Sequence, residues 1–159
     1  AKVGIKWPND IVVDGKKVCG ILTEMSMEQG YIQHIVIGVG INVRRQEFPE
    51  EIRERAAAID EQCGFCISRS QLIADIMEAF EEDYEIFLQT HDLKGLRDSY
   101  AKLLLNQDRE VCVLDPKGEY RGIARGINDQ GELIVEKQDG TVEEVYAGEV
   151  SVRGIYGYV

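Results

Sequence analysis

The chain has 159 residues, 44% hydrophobic and 30% charged, with a formal net charge of −11. That length can bury a real core, as one domain or as one domain plus a small partner. The acidic balance and the lack of a basic cluster argue against nucleic acid or anionic membrane as main partners, and the apolar runs are strand-sized, short of a membrane span.

Ala1 to Trp7 reads as a strand already under way, without an initiator methionine or a preceding cap, which points to the C-terminal part of something longer. No secretory signal opens the chain. Residues 3–7 form a short predicted strand, broken by Pro8-Asn9-Asp10, which is strong turn chemistry. Ile11-Val12-Val13, then Asp14-Gly15, then Lys17 to Met25 predict a β-hairpin with a type I′ turn. Tyr31 to Val43 is the next strand. Within it Ile35, Ile37, Val39, Ile41 and Val43 share one apolar face, while Val36, Gly38, Gly40 and Asn42 make a nearly bare one. Two alternating glycines mean that something approaches the backbone closely. A flat ligand with its polar edge at Asn42 fits that pattern, and so does a neighbouring helix or strand.

Pro49 can start a helix with Ile52, Ala56 and Ile59 on one face, ending at Gly64. Ser68 and Gln71 have capping-box spacing before a clearer helix. Its Leu72, Ile76, Phe80, Tyr84 and Phe87 recur at helical period and predict one stripe docked on a core. A third helix is expected from Leu93 to Leu105, with Leu96, Tyr100 and Leu103 inward. Beyond Asn106, strands at 110–115, 120–127, 132–138, 141–146 and 149–153 alternate with turn signals and read as a small antiparallel barrel. The expected domains are 1–106 and 107–159.

Several polar clusters each carry two readings. Lys6-Trp7-Pro8-Asn9-Asp10 offers a cation, an aromatic plate, an amide and a carboxylate to a ligand, or is an ordinary turn. Lys16 and Lys17 could neutralise a phosphate or carboxylate, or are solvated edge charges. In an unbroken strand Lys17 and Gly20 face opposite sides. Serving one ligand together requires a bulge there, or a role for Gly20 through its backbone. Cys63-Gly-Phe-Cys66 lacks the preceding strand of a redox motif, and Cys19, Cys112, His34 and His91 are too scattered to complete a zinc site, so packed loop thiols are expected. Four scattered cysteines do not make a secreted framework, so a cytoplasmic protein with reduced thiols is expected.

As an ordered set these signals resemble the biotin protein ligases. The resemblance rests on Lys-Trp-Pro-Asn-Asp-Ile (6–11), Lys17-Val-Cys-Gly20-Ile-Leu-Thr-Glu24, Gly38-Val-Gly40-Ile-Asn42-Val and the closing Gly148-Glu-Val-Ser-Val-Arg153. It implies an α+β fold: a mixed sheet with packed helices, of the kind shared with class II aminoacyl-tRNA synthetases and incomplete at the N-terminus, followed by a small SH3-like β-barrel. The implied activity forms biotinyl-5′-AMP from biotin and Mg-ATP, then transfers the acyl group to a lysine on a biotin carboxyl carrier domain of acetyl-CoA carboxylase or a related carboxylase. By the same resemblance Lys17, with Lys6, supplies positive charge at the reacting groups. Asp10 is a catalytic or magnesium-proximal carboxylate. Gly20, Leu22 and Gly38 join Lys17 around biotin. Asn9, Gly40, Asn42 and Arg153 hold the nucleotide, and Phe48, in a loop over 44–59, covers the adenine.

The family's glycine- and arginine-rich loop, its Ser/Thr and Gln positions contacting the ureido ring, and the DNA-binding winged helix that some members carry do not occur in these residues. The expectation is that this polypeptide alone neither holds biotinyl-adenylate tightly nor transfers it, and that its uncovered sheet edge and apolar face favour a homodimer or aggregation. A lipoate–protein ligase is the enzymatic alternative. A non-catalytic interaction module is the other.

Overall fold

Two antiparallel sheets and three helices make up residues 1–116, 118–147 and 151–154, which the computed structural model describes. The first sheet takes its strands in chain order: β1 (Val3–Lys6), β2 (Asp10–Val13), β3 (Lys16–Glu28) and β4 (Tyr31–Ile41). Asp14 and Gly15 both have positive φ, 46° and 82°, which is the conformation of the expected type I′ turn. Gln29 and Gly30 turn β3 into β4 in the same way, with φ of 50° and 85°.

The second sheet holds β5 (Glu110–Leu114), β6 (Tyr120–Ile127), β7 (Leu133–Lys137), β8 (Val142–Val145) and β9 (Ser151–Gly154), in the order β8-β7-β6-β5-β9. Its inward alternation buries Val111, Val113, Ala124, Leu133, Val135, Val145 and Val152. Among the described residues β8 and β9 stay as edges, so the expected barrel is an open five-stranded sheet. Gly148, Glu149 and Val150 of the closing motif lie outside the described residues.

Trp7 and Leu104 belong to the core of this second sheet. The Trp7 ring is 2% exposed. Its Nε1 donates to the Gly131 carbonyl at 3.0 Å, and its backbone N–H donates to Asn106 Oδ1 at 2.9 Å. Trp7 is therefore no aromatic plate for a ligand. It is the anchor that fixes the Lys6–Asp10 loop to the C-terminal sheet.

The helices depart further from expectation. Residues 50–55 are turns, and the helix is only α1 (Ile59–Cys63), closed by Gly64 in the left-handed conformation. The segment keeps isolated turns, with Arg53 N–H on Pro49 O and Ala56 N–H on Ile52 O, and a partner distant in the chain ends them: the backbone of Lys17 takes up Arg55 O and Ala57 N–H. α2 (Arg69–Thr90) begins as expected at Ser68, whose hydroxyl accepts from the Gln71 amide. No residue of α2 is buried, however, and Phe80 and Tyr84 are 46% and 47% exposed. Periodicity marks a stripe but cannot name what covers it. Here the apolar stripe stacks on itself, Phe80 on Tyr84 and Tyr84 on Phe87. α3 (Arg97–Leu103) is shorter than expected. Tyr100 packs inward, but the buried leucine is Leu104, and Leu103 faces solvent.

Candidate functional site

Strand register puts four residues in one row across the first sheet. Lys6 pairs with Asp10, Asp10 with Gly20, and Gly20 with Gly40. Directly opposed residues share a face, so two charges adjoin two positions of bare backbone. Leu22 and Gly38 form the next pair on that face, and Leu22 is 63% exposed.

Lys17 reaches the same face through a bulge. Ile11 pairs with Cys19 but Val12 pairs with Lys17, so Val18 is an extra residue on β3. One extra residue reverses the alternation and removes the parity conflict between Lys17 and Gly20. A Cβ on Gly20 would lie 3.0 Å from the Lys17 ammonium nitrogen, so the lysine occupies the space a side chain would take. Lys17 Nζ stands 2.5 Å from Asp10 Oδ1, and Lys6 Nζ is 4.0 Å from Asp10 Oδ2. The Asp10 side chain is 11% exposed and that of Lys17 38%. A buried carboxylate thus holds an ammonium that still meets solvent. On the opposite face Cys19 is buried among Val13, Val18 and Ala57, and burial pushes its thiol pKa up.

Gly38 and Gly40 are open. A Cβ on either would meet only a neighbouring strand's carbonyl oxygen, at 3.6 Å and 3.7 Å. Neither has a positive φ. Among the described residues neither conformation nor packing requires glycine at these positions.

Asn42 is fixed by its backbone, its N–H donating to Val18 O and its carbonyl accepting from Ile59 N, both at 2.8 Å. With Lys17, Gln46, Phe48, Ile52 and Arg55 it lines an open cavity of about 550 Å³. The loop forming the outer wall is tied to Lys17: Lys17 N–H donates to Arg55 O at 2.7 Å, and Ala57 N–H to Lys17 O at 3.0 Å. It is also clamped by Arg44 and Asp60 at 2.8 Å, with Asp60 Oδ1 accepting from the Ile67 amide. The guanidinium holds the Asp60 carboxyl below the usual range.

The structure therefore brings Lys17, Asn42 and Phe48 to one cavity, and Lys6, Asp10, Gly20 and Gly40 to the row beside it. Asn9 is not among the residues lining the cavity; its Nδ2 donates to the Ile21 carbonyl at 2.6 Å. The backbone of Arg153 pairs with Cys112, and its side chain lies outside the described residues. Sequence reasoning missed Gln46 and Arg55, whose polar types in a loop carry no periodic signal. No group of three or more His, Cys, Asp or Glu side chains could hold a metal among the described residues.

Comparison with known proteins gives a consistent result. Residues 1–42 match the Biotin/lipoate A/B protein ligase family, and residues 108–153 match the Biotin protein ligase C terminal domain. The bifunctional ligase/repressor BirA of Bacillus spizizenii is 37% identical over 153 residues, covering 93% of this chain and 46% of that protein. A biotin–[acetyl-CoA-carboxylase] ligase of Paracoccus denitrificans is 26% identical, covering 97% and 65%. The apo biotin protein ligase of Aquifex aeolicus superposes with a TM-score of 0.83 at 29% identity, covering 96% of this chain and 65% of that one. The same enzyme in complex with biotin and ATP gives 0.80. The chain spans about half the length of BirA, at 46%.

Proposed function

This chain corresponds to the C-terminal region of the biotin protein ligases, and from that premise we propose that it supplies the lysine-bearing part of an adenylation site. The proposed reaction joins biotin and ATP. A biotin carboxylate oxygen attacks the α-phosphorus, pyrophosphate leaves, and biotinyl-5′-AMP forms. An ε-amine of a carrier-protein lysine then attacks the acyl carbon and AMP departs. The acceptor we propose is the biotin carboxyl carrier domain of acetyl-CoA carboxylase, in a cytoplasmic setting.

The observation that carries this reading is the Lys17 ammonium, held over Gly20 by Asp10 at the mouth of the cavity that Asn42 and Phe48 line. Bringing two anions together needs cationic charge fixed before reaction, aimed where negative charge grows at phosphorus. Lys17 supplies it, and Lys6 adds a second cation on the same carboxylate. Gly20, Leu22 and Gly38 form the floor for biotin. Gly40 and Asn42 take the nucleotide, with Phe48 over the adenine. Asn9 and Arg153, by the family resemblance, complete the nucleotide side.

Asp10 we assign to positioning Lys17. Its two oxygens face two ammonium groups, a poor setting for a metal ligand. In this reading magnesium enters with the nucleotide, where it would offset charge on the phosphates. The family match at 108–153 is to the biotin ligase C-terminal domain, which favours biotin over lipoate. Incubating a full-length ligase that carries this region with ATP and either acid tests the choice. Biotinyl-AMP detected by mass supports the reading. Formation of the lipoyl adenylate alone contradicts it.

A further inference from the structure

Cys63 and Cys66 have no place in the proposed reaction, and both thiols are free and exposed. Cys63 is the last residue of α1, and Gly64 turns the chain with φ of 75° and ψ of 11°. The segment then folds back on α1, because the Ile67 amide donates to Asp60 Oδ1 at 2.8 Å. Gly64 N–H likewise donates to Asp60 O at 3.0 Å. The four residues from 63 to 66 are thus confined to one tight bend, closed at both ends on Asp60. Cys66 also neighbours the Arg44 guanidinium, which is paired with Asp60. Thiol–disulfide exchange needs two thiols that a small disulfide can reach and that the chain holds near each other, and this bend meets both conditions. Buried Cys19 and partly covered Cys112 have neither this exposure nor this spacing.

We propose that Cys63 and Cys66 form a reversible thiol–disulfide site that reacts with low-molecular-weight disulfides such as glutathione disulfide. The Cys66 thiolate attacks one sulfur of the small disulfide, forming a mixed disulfide and releasing one thiolate. The Cys63 thiolate then attacks the Cys66 sulfur, closing the Cys63–Cys66 bond and releasing the second. The two protein thiols lose two electrons and two protons, and the small disulfide becomes two thiols.

The test equilibrates the full chain in glutathione buffers of graded ratio, quenches with acid, alkylates with N-ethylmaleimide and maps peptides by mass. The expected result is that Cys63 and Cys66 lose alkylation together, in a peptide lighter by two hydrogens, and regain it with dithiothreitol. In Cys63→Ser the glutathione adduct accumulates on Cys66, since nothing resolves it. In Cys66→Ser the adduct forms more slowly on Cys63. Alkylation of both thiols at every ratio overturns the proposal. So does independent glutathione capture at the two sites with no internal bond.

Discussion

Lys17 Nζ lies 2.5 Å from Asp10 Oδ1, although the two residues sit on adjacent strands and would lie on opposite faces without the Val18 bulge. Asp10 therefore sets where the cation stands. Asp10→Asn removes that restraint while keeping the shape. In a full-length ligase, adenylation is expected to fall by about 10-fold or more, since about 1.4 kcal/mol of lost transition-state stabilisation suffices. Stability should fall as well, since Lys6 and Lys17 lose the buried carboxylate they share, and Asp10→Glu should recover part of the rate. Steady-state rates beside a thermal melt separate the two effects. An Asn variant at full rate would mean that Asp10 does not position Lys17.

Gly20 and Gly40 make opposite demands. At Gly20 an alanine methyl would stand 3.0 Å from the Lys17 ammonium and push it off Asp10. At Gly40 a methyl has room, with only the Gly20 carbonyl oxygen at 3.7 Å. Gly40→Ala should leave the melting temperature within a degree or two and still weaken ligand binding, because the proposed floor rises toward the ligand. Titration of each variant with biotin and ATP, in a full-length ligase carrying this region, reads this. Unchanged affinity in Gly40→Ala would mean the floor carries no ligand.

Trp7 couples the loop to the second sheet, so its loss is primarily a folding defect. Trp7→Ala should cost about 3–5 kcal/mol as a buried aromatic. Trp7→Phe should cost less, chiefly the bond from Nε1 to Gly131 O, at about 1 kcal/mol. Denaturant titration measures both. A Trp7→Ala protein as stable as the parent would contradict its burial.

Burial raises the Tyr100 phenol from 10.0 to about 12. The folded state then keeps a proton that the unfolded chain releases, so stability is full below pH 10 and falls as pH rises toward 12. Roughly 2–3 kcal/mol is at stake from a shift of that size. Tyr100→Phe should flatten this part of the alkaline profile. If the fall persists unchanged in that variant, Tyr100 is not its source.

The parts legible in the sequence were those written in local backbone chemistry. Asp14-Gly15 named its turn, Ser68 its cap, and the alternation in 110–137 its buried valines. What stayed hidden depends on partners distant in the chain. The sequence leaves the Trp7 cluster open between a ligand loop and an ordinary turn, because nothing nearby shows that Asn106 and Gly131 receive its two N–H groups. Residues 50–55 look helical until the backbone of Lys17 takes up Arg55 and Ala57. The bulge at Val18 decides whether Lys17 faces Gly20, and no residue type announces it.

The account stands on the ammonium of Lys17 acting at the reacting phosphate, and biotin-dependent exchange of labelled pyrophosphate into ATP measures that step alone. In a full-length ligase carrying this region, Lys17→Ala should slow exchange by about 10²–10³-fold, with stability falling by about 1–3 kcal/mol because the buried Asp10 carboxylate loses its nearer ammonium and keeps Lys6, at 4.0 Å. Exchange at the parent rate in a folded Lys17→Ala enzyme would contradict the account.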